Sequence, residues 1–247
     1  MSERTFDHLL LLGRPAAGKS EFTDFIKKIP SPDRAQLFHI GRFDEIDDFP
    51  WIWEKFMEDD MWEEAGFPRI FSVRNGNQYD VRPEMSRLYK LMFVKFNHSI
   101  ADRYLSRPNY YKDNTLIVEF SRGCEHTYED SLSRLSREVL EKAAILYFKV
   151  DFDESWRRNV ARYQEKLKSS ILAHMLPRNA MEMYYMTDDW AEITHGQADG
   201  LLCINGIKVP FATMENEPEL PPGPDIAKRY TESMERLWCR YSKGDGK

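Results

Sequence analysis

The 247 residues contain only three cysteines, Cys124, Cys203 and Cys239, and they stand far apart. An odd, scattered set supplies neither a disulfide framework nor the paired spacing of a zinc site, and it fits a reducing, cytoplasmic compartment. Long hydrophobic runs are missing as well. The apolar run near the N-terminus, Leu9 to Leu12, ends at a glycine and is too short for a signal peptide or a membrane span. Positive charge is not in excess: 35 Lys and Arg against 41 Asp and Glu give a formal net charge of −6. That balance gives no overall pull toward nucleic acid or an anionic membrane surface. Internal repeats and low-complexity tracts are absent. What is present, 42% hydrophobic and 31% charged residues, suits one α/β domain with an insertion, or two small domains.

Directly after the apolar run comes Gly13-Arg14-Pro15-Ala16-Ala17-Gly18-Lys19-Ser20, a G-x-x-x-x-G-K-S segment leaving one strand and opening one helix. The two glycines let the backbone curl with its N–H groups inward, so that a phosphate chain can rest on a helix N-terminus. Lys19 brings a point charge to the β- and γ-phosphates, and the Ser20 hydroxyl can ligate Mg²⁺. The segment reads as a nucleoside-triphosphate site; a Gly-rich turn capping an ordinary helix is the competing reading.

Buried strands are expected at 8–12, 36–40, 115–120 and 144–150, with two more at 200–204 and 207–211 joined by Asn205-Gly206. Helices are expected from Gly18 to Ile29, over 51–66 and 84–107 (split by the turn Asn75-Gly76-Asn77), and over 128–142, 154–173 and 179–193. A last helix at 226–242 follows a proline-rich connector. Strands alternating with helices argue for a parallel sheet covered on both faces. The segment 45–112 is too long for a plain crossover and is expected to be a helical insertion that binds the substrate. Its aromatics, among them Trp51, Trp53, Trp62 and Tyr79, suit a small core better than a stacking platform for a planar substrate.

Phosphoryl transfer is mostly positioning and charge neutralisation, so further groups are required. Glu119 ends an apolar strand, where it can hold Mg²⁺ or orient the attacking group. Asp44 and Glu45 follow the second expected strand, and either can accept a proton or bind the acceptor. The neighbouring Asp47 and Asp48 also suit a solvated acidic loop. Arg158 and Arg162, four apart on one helix face, can grip phosphate oxygens, with Arg157 beside them on the nucleotide. Arg122, just past Glu119, can contact the substrate or a phosphate.

In these pieces and their order the chain resembles the P-loop kinase superfamily, which includes nucleoside, nucleotide, shikimate and gluconate kinases. The resemblance rests on GRPAAGKS at 13–20, Asp44-Glu45, TLIVEFSRG at 115–123 and FKVDFDESWRRNVARY at 148–163. It implies a three-layer α/β/α fold with a parallel five-stranded sheet in the order 2-3-1-4-5 and the insertion between strands 2 and 3. It also implies a lid at 157–178 and a Mg²⁺ site on Ser20 and Glu119. The function implied is an ATP- and Mg²⁺-dependent kinase with a small-molecule acceptor and no membrane partner. A regulatory P-loop ATPase working as a switch is the alternative, although no guanine-selecting Asn-Lys-x-Asp segment occurs and the chain carries its own arginines.

Overall fold

The structure, a computed structural model, describes residues 5–76, 78–107, 109–167 and 175–243. In chain order its elements begin with β1 (His8–Gly13), α1 (Lys19–Lys27), α2 (Ser31–Phe38) and β2 (Arg42–Asp47). Next come α3 (Phe49–Glu64), the hairpin β3 (Ser72–Asn75) and β4 (Gln78–Val81), α4 (Leu88–Ile100) and β5 (Asn114–Phe120). Then follow α5 (Tyr128–Leu132), α6 (Arg137–Leu140), β6 (Ala143–Lys149), α7 (Phe152–Leu167), α8 (Arg178–Tyr185) and α9 (Trp190–Ile193). The chain ends in β7 (Asp199–Ile204), β8 (Ile207–Glu215) and α10 (Pro224–Tyr241).

Six strands form the main sheet in the order β2-β5-β1-β6-β8-β7, one more than the five-stranded sheet that the resemblance implies. Neighbours from β2 to β8 run parallel, and β7 pairs antiparallel with β8 at one edge. The continuous apolar run of β1 is what a strand covered on both faces needs. Leu10 and Leu12 pack with Phe93, Phe96, Tyr128 and Val139 from α4, α5 and α6. Leu9 and Leu11 face the other way, onto Phe22, Ile26, Phe38 and Met234 from α1, α2 and α10.

Residues 36–40 are not a strand. They finish α2, which starts at Ser31 with a proline in its first turn and ends at His39 in the left-handed conformation (φ 55°). The second strand lies later, at Arg42–Asp47, and reads Arg-Phe-Asp-Glu-Ile-Asp with Ile46 its one buried side chain. As an edge strand it pairs on one side only and tolerates charge that a central strand would not. The helix expected over 128–142 is two short helices, α5 and α6, each started by a side-chain cap, Thr127 or Ser136. That expected over 179–193 breaks into α8 and α9. The segment 45–112 carries a β-hairpin as well as helices, with its turn at the Asn75-Gly76-Asn77 signal, of which Asn77 lies outside the described residues. The lid expected at 157–178 is described as the end of α7 and the approach to α8; residues 168–174 lie outside the described residues.

Candidate functional site

Two glycines set the loop between β1 and α1. Gly13 has φ +145°, and a Cβ there would stand 2.7 Å from Phe148 O. Gly18 has φ +102° at the N-terminus of α1, where a Cβ would fall 2.4 Å from Asn216 Nδ2. The loop is fastened from several directions. Asn216 Nδ2 donates to Ala17 O at 2.8 Å, the Ser155 hydroxyl to Pro15 O at 2.7 Å, and Gly13 N–H to the Tyr128 hydroxyl oxygen at 3.0 Å.

Lys19 is only 4% exposed. Its Nζ donates to Gly13 O (3.1 Å), Arg14 O (3.0 Å) and Ser121 Oγ (2.8 Å), with Glu119 Oε1 at 3.8 Å. Burial pushes the ammonium below the ordinary lysine range; Glu119 and Asp47 oppose that and Arg162 adds to it.

Two cavities flank the loop. The larger, about 250 Å³, reaches from Lys19 and Ser20 past Asp47, Glu119 and Arg122 to a wall of Phe56, Tyr79, Asp80, Tyr89 and Tyr185. The smaller, about 170 Å³, lies between Ala16, Gly18, Arg158, Asn216, Glu219 and Tyr230. Arg162 lines both.

At the meeting of β2 and β5 the carboxylates gather. Burial, then the charges of Asp48 and Glu119, push Asp47 up to about 7, although Phe49 N–H donates to its Oδ1 at 3.0 Å. Burial also raises Glu119, with Lys19 acting against the rise. Asp48 is engaged elsewhere. Arg122, 2% exposed, donates Nη2 to Asp48 Oδ2 at 2.6 Å, and its guanidinium carbon lies 4.8 Å from the centre of the Phe93 ring.

Of the residues singled out in the sequence, Lys19, Ser20, Glu119, Arg122 and Arg162 meet on the larger cavity, together with the loop residues Pro15, Ala16, Ala17 and Gly18. Asp44 and Glu45 do not. With the strand shifted, they sit inside β2 rather than beyond it. Asp44 Oδ2 accepts from the Tyr110 hydroxyl at 3.0 Å, and Glu45 pairs with Lys27 at 2.8 Å on the surface. Arg14 turns its side chain away from both cavities, onto Asp188 (2.8 Å), Val150 O and Tyr185 O, so only its backbone belongs to the loop. Arg157 is tied to Glu154 and Glu219 outside both cavities. Arg158 lines the smaller cavity with its guanidinium held by Glu154 and Asn216 O at 2.7 Å each.

Sequence reasoning set Asp47 and Asp48 aside as loop charge and passed over Asp80, Ser121 and Asn159, all of which line the larger cavity. For Asp47 a signal exists: an acidic residue ending a strand beside the phosphate loop, once the strand is placed at 42–47. For Asp80 none exists, because the fold of the hairpin delivers it.

The donor set suits a triphosphate with its divalent cation: curled backbone at a helix N-terminus, a buried lysine, the Ser20 hydroxyl and the hard oxygens of Glu119 and Asp47. Among the described residues no three His, Cys, Asp or Glu side chains make a complete metal cage, and Mg²⁺ requires none, since it keeps waters and phosphate oxygens. No helix among the described residues is long and apolar enough to cross a membrane.

The mostly parallel sheet with helices on both faces and a loop of phosphate-binding type leaving β1 make this a three-layer α/β fold carrying a P-loop. No protein-family model and no curated protein matches the chain. Among solved structures it is similar to APE1195, known from a crystal structure, at 14% identity over 96% of this chain and 97% of that one, with a TM-score of 0.40. It is also similar to shikimate kinase from Acinetobacter baumannii in complex with shikimate, at 12% identity over 99% and 97% of the two chains, with a TM-score of 0.42. Likenesses at this level bear on neither substrate nor reaction.

Proposed function

We propose that this chain is an ATP- and Mg²⁺-dependent phosphotransferase acting on the hydroxyl of a metabolite-sized acceptor. The observation that carries the reading is that one cavity brings together a phosphate loop with its buried lysine, the half-buried carboxylate of Asp47 and a largely aromatic wall. A hydrolytic switch has no use for that aromatic wall; a transferase needs it for the acceptor.

In this reading the loop amides and Lys19 hold the phosphates, and Ser20 and Glu119 hold Mg²⁺, which when bound neutralises phosphate charge. Asp47 takes the proton of the acceptor hydroxyl as its oxygen bonds to the γ-phosphorus. The bond from that phosphorus to the bridging oxygen breaks, and ADP leaves. Arg162, lining both cavities, faces the charge that shifts along the phosphates. Arg158, held by Glu154 and Asn216, stiffens the wall of the smaller cavity, which takes the rest of the nucleotide.

Purified protein with radiolabelled ATP and a panel of small hydroxylated acceptors tests the reading. Acceptor-dependent transfer of label is the expected result. ATP hydrolysis that ignores every small acceptor and rises only with a macromolecule would turn the reading into that of a switch.

A further inference from the structure

Two residues that line the larger cavity each carry a polar atom that the protein leaves unmatched. Asp80 Oδ1, on β4, and Arg122 Nε, just past β5, are shut off from solvent and have no hydrogen-bond partner among the described residues. Both residues line the cavity. One is an acceptor and the other a donor, and leaving either unpaired in a dry site is unfavourable until a ligand completes it.

The surroundings restrict that ligand in two ways. Its body should suit an aromatic wall: Phe56 and Tyr79 stack on one another with ring centroids 5.8 Å apart and planes 11° apart, and Tyr89 and Tyr185 line the same cavity, a surface that favours a planar, apolar-faced group. Its charge must not be negative. Lys19 and Arg162 sit at the phosphate end, and the charge of Arg122 is matched by Asp48 at 2.6 Å. Asp47, Asp80 and Glu119 line the same space, so a carboxylate or phosphate on the acceptor would meet like charge without a spare cation.

We propose that the acceptor is an uncharged or cationic nitrogen heterocycle joined to a hydroxyl-bearing group, its ring giving an N–H to Asp80 and an acceptor atom to Arg122 while the hydroxyl meets Asp47. This rests on the phosphotransferase reading of the cavity and narrows it. A carboxylate receiving an amino or ring N–H is a common way of reading a base edge, and the paired donor adds orientation. Burial lifts Asp80 to about 6, which still leaves it mostly ionised, and so acceptor-only, at neutral pH.

The test is calorimetric titration of the whole chain, saturated with a non-hydrolysable ATP analogue, with four probes. Adenosine and cytidine are flat, uncharged and carry amino donors; AMP and shikimate are anions. The expected result is binding of adenosine or cytidine, no binding of the two anions, and a loss of at least about tenfold in nucleoside affinity in Asp80→Asn, with analogue affinity as internal reference. Should the variant melt early, the ranking of the four probes on the unaltered protein decides. Anions binding as tightly as nucleosides, nucleoside affinity unmoved by the substitution, or no nucleoside binding to the analogue-loaded protein each overturn the proposal. Failure of the analogue itself to bind overturns the phosphotransferase reading and this proposal with it, so the two failures are told apart.

Discussion

Asp47 and Glu119 stand opposite one another in register across the pairing of β2 with β5, and both act electrostatically on Lys19. Residues paired in register point to the same side of a sheet, so two carboxylates share one buried corner with one ammonium. They cannot both be comfortably ionised, and the corner separates them. Glu119, with Lys19 at 3.8 Å, has its rise opposed first by that ammonium, while Asp47 climbs to about 7, pushed first by burial and then by its carboxylate neighbours. The first is suited to remain an anion toward a metal, the second to receive a proton.

Replacing Asp47 by Asn should lower kcat by about 10²- to 10⁴-fold with binding of the ATP analogue retained. Asp44→Asn should keep kcat within about twofold and lose on the order of 1 kcal/mol of stability through the Tyr110 hydrogen bond. Steady-state kinetics on the two variants side by side decide between the positions; the opposite ranking returns the base to Asp44.

The pH profile follows from the same corner. A base must be unprotonated to work, so kcat/KM, which reports the free protein, should rise with pH by about tenfold per unit below the pKa of Asp47 and level off above about 7. That limb should vanish in the residual activity of Asp47→Asn. A flat profile between pH 5.5 and 8 on the unaltered protein excludes Asp47 as the titrating group.

Lys19→Ala should reduce turnover by at least about 10²- to 10³-fold. The melting temperature should move little, because Lys19 lines the larger cavity, where water can take the place of its ammonium. Turnover near the unaltered level would remove the loop from the chemistry.

Arg122→Met should destabilise the protein by about 3–5 kcal/mol, since it strands Asp48, itself 4% exposed, as an unpaired buried charge. Adding Asp48→Asn should recover much of the loss. Urea unfolding of the single and double variants measures the coupling, and strict additivity would show that the pair does not act as a unit.

A second pH effect belongs to stability. His8 is fully buried, its Nδ1–H directed at Val139 O (3.1 Å) and its Nε2 receiving the Tyr111 hydroxyl (2.7 Å). Burial lowers it from 6.5 to about 4. Between those values the unfolded chain takes up a proton that the folded chain refuses, so stability declines as pH falls through this window and the effect is complete below about 4. The loss amounts to about 3 kcal/mol. Urea midpoints of the unaltered protein and His8→Gln should therefore converge or cross as pH drops from 7 to 4.

The phosphate loop was legible because its chemistry is local: spacing, a preceding apolar strand and a following helix lie within a dozen residues. Its partners are not local. The largely apolar run Leu37-Phe38-His39-Ile40 reads equally as strand or helix end, and taking it as a strand moves the proposed base by three residues, from Asp47 to Asp44. An edge strand rich in charge carries too weak an apolar pattern to correct that error. Arg14, inside the motif, gave no hint that its side chain would leave the loop for Asp188, since that partner is brought near by α8 folding back. Asp80 depends on a hairpin turning toward a helix from another part of the chain, which no spacing rule records.

Lys19 without a phosphate already has three oxygens around it, two carbonyls and the Ser121 hydroxyl. Loading the loop is therefore an exchange of ligands on a nitrogen rather than the capture of a bare cation. In the proposed reading, nucleotide affinity is then set by a difference between two sets of contacts. One of those oxygens belongs to Ser121, immediately before Arg122, so in the proposed reading the two ends of the cavity share one stretch of backbone.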